Sequence, residues 1–130
     1  MKKYIVFTGI LVSIILFNAF TGVNQDNLSK YVVRYDTKFG DPCQKCTYSK
    51  DIFKAYYRNT SKQNLDVLIS LQNTQKKWEC FYFENVKPND TMFTYVCKGT
   101  GRALKWVKKA GDKEIVFPTC EEVNQMYKNK

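Results

Sequence analysis

Leu65, Val67, Ile69 and Leu71 alternate with Asp66, Leu68 and Ser70. A period of two is strand spacing, with one set of side chains turned to a core. The aromatic-rich stretch QKKWECFYFENV follows, and Lys87-Pro88-Asn89-Asp90 has turn composition. TMFTYVCK then reads as the return strand. Gly99-Thr100-Gly101 is expected to turn the chain into RALKWVKK, and Ala110-Gly111-Asp112 into KEIVF. Upstream, Tyr31 to Thr37 is rich in β-formers and is broken by Gly40, Asp41 and Pro42. Between these regions the period changes. Ile52, Phe53, Tyr56 and Tyr57 recur at spacings of one, three and four behind Ser49, a possible N-cap. That pattern predicts a helix of two to three turns over KDIFKAYYRN, ending near Asn59. At the far end, Thr119 and Glu122 have capping-box spacing. Val123, Met126 and Tyr127 would line one face of a short helix there.

These elements predict an α+β domain: an antiparallel β-meander of about five to six strands, one packed helix, and a short C-terminal helix. The alternative is a small β-barrel. Residues 1–22, MKKYIVFTGILVSIILFNAFTG, run from a basic start through an apolar stretch to small residues. That order is a secretory signal peptide. Residues 23–130 then form a single secreted, extracellular domain. A domain of roughly 100 residues buries a modest core, so cross-links would help hold it. Asn27, Asn59 and Asn89 each begin an Asn-x-Ser/Thr acceptor pattern for glycosylation.

The chain has five cysteines and no histidine. Without histidine there is no Ser-His-Asp or Cys-His nucleophile, no paired-histidine ribonuclease centre and no histidine-containing zinc site. The carboxylates are scattered, so no acid–base pair is set by spacing, and no catalytic residue is assigned. The protein is expected not to be an enzyme. Cys43 and Cys46 form a Cys-x-x-Cys pair, yet a redox pair belongs at a helix N-terminus in a βαβ setting. A zinc site would need a second close pair, and Cys80, Cys97 and Cys120 stand far apart. No metal or cofactor is expected. The five cysteines therefore read as a disulfide framework with one thiol left over, free or bridging a homodimer. If the turn centres on Pro88-Asn89, Cys80 and Cys97 face each other, and Cys120 could reach Cys43 or Cys46. Other pairings stay open.

The formal net charge is +9, which favours anionic partners. Lys98, Arg102, Lys105, Lys108 and Lys109 fall within twelve residues around Trp106, without an acid among them. Cations interleaved with an aromatic suit a glycosaminoglycan, a polyphosphate or an acidic lipid surface. On a strand, however, Leu104 and Trp106 share one face and Lys105 the other, so Trp106 can equally be core with the lysines solvated. The many aromatics, among them Tyr48, Phe53, Tyr56, Tyr57, Phe81, Tyr82, Phe83, Phe93, Tyr95 and Phe117, raise a third option. They could line a cavity for a small apolar ligand.

The order strand, helix, antiparallel strands resembles cystatin-like domains, which implies a protease inhibitor. The Gln-x-Val-x-Gly hairpin of that family is absent here. A lipocalin-like barrel lacks its early Gly-x-Trp signature. In composition the chain also resembles small secreted effector proteins of arthropod saliva, venom and other parasites. That likeness implies a non-enzymatic binding protein for an extracellular protein or anionic polymer.

Overall fold

The structure, a computed structural model, describes residues 28–40, 46 and 52–128. Among the described residues, six strands precede a C-terminal helix: β1 (Val32–Phe39), β2 (Phe53–Asn59), β3 (Leu65–Asn73), β4 (Trp78–Val86), β5 (Thr91–Val96), β6 (Gly99–Lys109) and α1 (Cys120–Met126). They form two three-stranded antiparallel sheets, ordered β1-β2-β5 and β4-β3-β6. The sheets share one core. Val32, Phe53, Ala55, Tyr57, Met92 and Val96 come from the first, and Leu65, Val67, Ile69, Leu71 and Val107 from the second. Each large apolar side chain buried there contributes roughly 1.5–3 kcal/mol. The alternation expected for β3 is present, and β3 lies at the centre of its sheet, buried on both faces.

The segment expected to be a helix is β2. Its side chains alternate: Phe53, Ala55, Tyr57 and Asn59 are buried, while Lys54, Tyr56 and Arg58 point outward. Aromatics at positions 53, 56 and 57 satisfy a helical count as well as a strand count. The ambiguity is resolved by pairing, because β1 and β5 flank β2 and take up its backbone groups on both sides. This removes the strand–helix–strand order on which the cystatin-like resemblance rested. The sheets do not close into a barrel.

The meander is also corrected. Lys87 to Asp90 does turn, with the Asp90 N–H donating to the Lys87 carbonyl, but β5 does not pair with β4. It crosses to the other sheet. Asn59 drives this: its N–H donates to the Asp90 carbonyl, its own carbonyl accepts from Asn89, and its Nδ2 donates to Val86. The corner is thus hooked onto the end of β2, and β5 is delivered beside β2. KEIVF is not a strand. Residues 113–119 run as an irregular strap over the outer face of β4-β3-β6, held by Lys108 Nζ donating to the Ile115 carbonyl and Tyr82 Oη to the Pro118 carbonyl. Gly99-Thr100-Gly101 begins β6, with Cys97 and Lys98 making the turn before it. Gly99 has no room for a side chain: a Cβ there would lie 2.3 Å from that of Phe53.

Because β4 and β5 belong to different sheets, Cys80 and Cys97 do not face each other. The bridges are Cys46–Cys97 and Cys80–Cys120. The first ties the segment before β2 to the β5–β6 turn, and the second pins α1 to β4. Two intramolecular disulfides fit an extracellular setting. Cys43 and the signal-peptide segment lie outside the described residues. Since Cys46 bonds Cys97, the Cys-x-x-Cys pair is not a closed redox disulfide.

The C-terminal helix has its expected capping box. Thr119 accepts from the Glu122 N–H, and the Glu122 side chain accepts from the Thr119 N–H. Val123 is buried, whereas Met126 is exposed. Asn124 binds the backbone of β4 like a short extra strand, accepting from the Trp78 N–H at 2.7 Å and donating to its carbonyl at 2.9 Å. Among the described residues, no helix is long and apolar enough to cross a membrane.

Candidate functional site

Outward-facing side chains of β1-β2-β5 build an aromatic ladder on a solvent-exposed face. Tyr35 of β1 lies 6.1 Å from Tyr56 of β2 between ring centroids, and Tyr56 lies 5.1 Å from Phe93 of β5. Phe93 stacks on Tyr95 at 5.8 Å with 17° between planes, and Tyr95 reaches Phe81 of β4 at 6.2 Å. Four outward rings thus cross three strands in contact, and Phe81, opposite Ile69 and packed against the core, continues the row into the seam between the sheets. Strand geometry explains the ladder. Tyr56 is registered opposite Phe93, and Phe93 and Tyr95 are two residues apart on one face. A bulge between Arg34 and Asp36 turns Tyr35 outward as well.

Tyr35 and Phe93 are nearly half exposed, at 47% and 44%. Monomeric proteins seldom leave such rings in a contiguous outer patch without a use. Cations frame it. The Arg58 guanidinium lies 4.9 Å from the Tyr35 ring centre, a cation–π contact. Lys38 and Lys54 face each other across β1 and β2, with Lys54 also opposite Tyr95. One acid, Asp36, is registered on the same side opposite Tyr56.

The basic segment singled out in β6 is distributed differently. Trp106 is half-buried beneath the C-terminal segment, with Tyr127 edge-on at 6.2 Å. Lys108, on the same side, is tied to Ile115 and lies 4.9 Å from the Phe117 ring. Lys105 is on the other face, beside Val107, and reaches across to donate to the Val32 carbonyl. Lys98, Arg102 and Lys109 are exposed at separate points. The strand therefore does not gather these six residues on one surface.

The aromatics expected to line an interior cavity are split. Phe53 and Tyr57 are buried in the core, while Tyr56, Phe93 and Tyr95 face outward; Tyr48 lies outside the described residues. The signal for the ladder was present in the i, i+2 spacing of Phe93 and Tyr95. Its partner row was hidden by the helical reading of residues 53–59.

Asn89 is exposed at the tip of the β4–β5 corner. Asn59 is fully buried, with Nδ2 donating to Gln63 at 2.9 Å and Val86 at 3.0 Å. As folded it cannot carry a glycan, and the expectation at Asn59 is corrected: its role is structural. Asn27 lies outside the described residues.

Two groups at the seam between the sheets are electrostatically displaced. Burial pushes the Tyr57 phenol above its ordinary value, partly offset by the charge and hydrogen bond of Arg34. Burial lowers the Lys105 ammonium, and the like charge of Arg34 lowers it further. Among the described residues no cluster of acidic or cysteine side chains is arranged to hold a metal ion. Compared with protein-family models, curated proteins and solved structures, the chain matches none.

Proposed function

We propose that this is a secreted, non-enzymatic binding protein that engages an extracellular anionic polymer through the outer face of β1-β2-β5. The ring ladder from Tyr35 to Tyr95, framed by Lys38, Lys54 and Arg58, is the observation that carries the reading. A row of rings offers flat apolar contact to successive sugar rings, and the cations offer counter-charge to sulfate or carboxylate groups along the chain. A sulfated or carboxylated polysaccharide supplies both features, whereas polyphosphate supplies only the charge. Without Lys2 and Lys3 of the signal segment the domain has 19 basic and 12 acidic residues, a net charge of +7, which adds long-range attraction for such a polymer.

The test is binding to an immobilised sulfated glycosaminoglycan over a salt series. Phe93→Ala and Tyr56→Ala should each weaken binding by about ten-fold, the scale set by roughly 1–3 kcal/mol for a stacked ring. Arg58→Gln should flatten the salt dependence. If Arg102→Gln and Lys109→Gln weaken binding instead, the β6 cations are the contact surface. Equal weakening by any surface lysine substitution would leave no specific site.

A further inference from the structure

The seam between β1 and β6 holds a second constellation. These strands are edges of different sheets, and no backbone ladder joins them. A cleft of about 280 Å³ opens there, lined by Arg34, Tyr57, Gly101, Ala103, Leu104 and Lys105. We infer that this cleft is a binding site for a single oxyanion group, sulfate or phosphate.

The placement is set by register. Arg34 is paired opposite Tyr57, so its side chain starts on the core-facing side of β1. Lys105 is paired opposite Ile69, on the core-facing side of β6. Both cations are therefore directed into the same seam from opposite walls. Lys105 gives one of its three N–H protons to the Val32 carbonyl, which anchors the ammonium and leaves two protons for a ligand. Tyr57 lines the same cleft beside Arg34, and its hydroxyl can donate a proton as well as accept one. Three kinds of donor thus converge on one small space.

The electrostatic balance points the same way. Among the described residues, the charge bearing on Lys105 is Arg34, a second cation. Both side chains keep access to solvent; two like charges beside one open cleft repel each other, and an anion between them reverses the sign of that interaction. Gly101 and Ala103 put small residues in the β6 wall of the cleft. Gly101 has φ +89°, which favours glycine, and a Cβ there would press on the Phe39 ring at 3.1 Å. This inference does not depend on the aromatic ladder, which lies on the other face of β1-β2-β5.

The experiment is a titration of the isotope-labelled full domain with sodium sulfate, and separately with inorganic phosphate, at constant ionic strength balanced by chloride. Saturable shifts of the Gly101 to Lys105 amides, the Arg34 side chain and the Tyr57 ring are expected. Arg34→Gln and Lys105→Gln should each weaken the anion by about ten-fold, which is 1.4 kcal/mol per site. Tyr57→Phe should weaken it by a smaller factor, and Lys87→Gln, at the distant β4–β5 corner, should change nothing. The wild-type shift map stands even if a variant fails to fold. A sulfated disaccharide that displaces sulfate with higher affinity would assign the site to a polymer-borne group; one that does not compete would assign it to the free ion. Shifts that grow linearly with salt, or that ignore these residues, would overturn the inference, as would undiminished affinity in both cation variants. Loss of ladder binding in Phe93→Ala with the sulfate response intact would separate the two sites.

Discussion

Asn59 is the residue on which the topology turns. Its side chain donates to Gln63 and Val86 and accepts from the Ser61 N–H and hydroxyl, all in a fully buried position. Removing it takes away the side-chain partner of the Val86 carbonyl and of the Ser61 N–H, while the Ser61 hydroxyl and the Gln63 carbonyl keep each other. Each such orphan costs about 1–3 kcal/mol. Asn59→Ala should therefore lower the unfolding free energy by about 3 kcal/mol or more in urea denaturation, while Asn89→Ala at the exposed tip should do far less. A second prediction concerns pH. The Tyr57 phenol is raised above 10.0 in the folded state. The unfolded chain then releases that proton first, so stability falls as pH rises above 10.0. Lys105 is lowered below 10.5. In its window, below 10.5, the unfolded state holds more protons, so stability rises with pH. A urea midpoint followed into alkali should show a shallow rise and then a fall. Tyr57→Phe should reduce the fall, and Lys105→Met should reduce the rise.

At the level of elements, legibility in the sequence followed how singular each pattern was. β3 was readable because an alternating run of apolar residues fits only a strand. α1 was readable because Thr119 and Glu122 satisfy each other's backbone groups locally. β2 was misread because Phe53, Tyr56 and Tyr57 fit two periods, and only its neighbours β1 and β5 decide between them. The sheet crossing after Val86 was invisible because it depends on Asn59, twenty-seven residues upstream. The ladder inherited both errors. The strap after β6 carries its own prediction. α1 has seven residues, too few to persist unsupported. It is held by the Cys80–Cys120 bond, Asn124 and contact of Tyr127 with Trp78 and Trp106. Cys80→Ser with Cys120→Ser should free the strap and shift tryptophan emission toward that of solvated indole, with the Tyr35-to-Tyr95 face retained. Thr119→Ala, which removes the cap alone, should cost about 1 kcal/mol.

For the whole molecule, the two bridges close loops that overlap between Cys80 and Cys97. Their separations are 51 and 40 residues. Loop-closure entropy makes each worth about 4 kcal/mol by itself in the chain-entropy account. Because the loops overlap, the second bridge restrains a chain already shortened by the first, and the combined effect is less than the sum. A domain of this size typically has about 5–15 kcal/mol in total. The bridges are thus comparable with the net stability, so reduction is expected to remove most of it. The chain mass should increase by the four hydrogens of two bridges on full reduction. The reduced protein should unfold at a urea midpoint lowered by several molar, or be unfolded without urea. A reduced chain that keeps its midpoint would mean the shared apolar core alone holds the two sheets together.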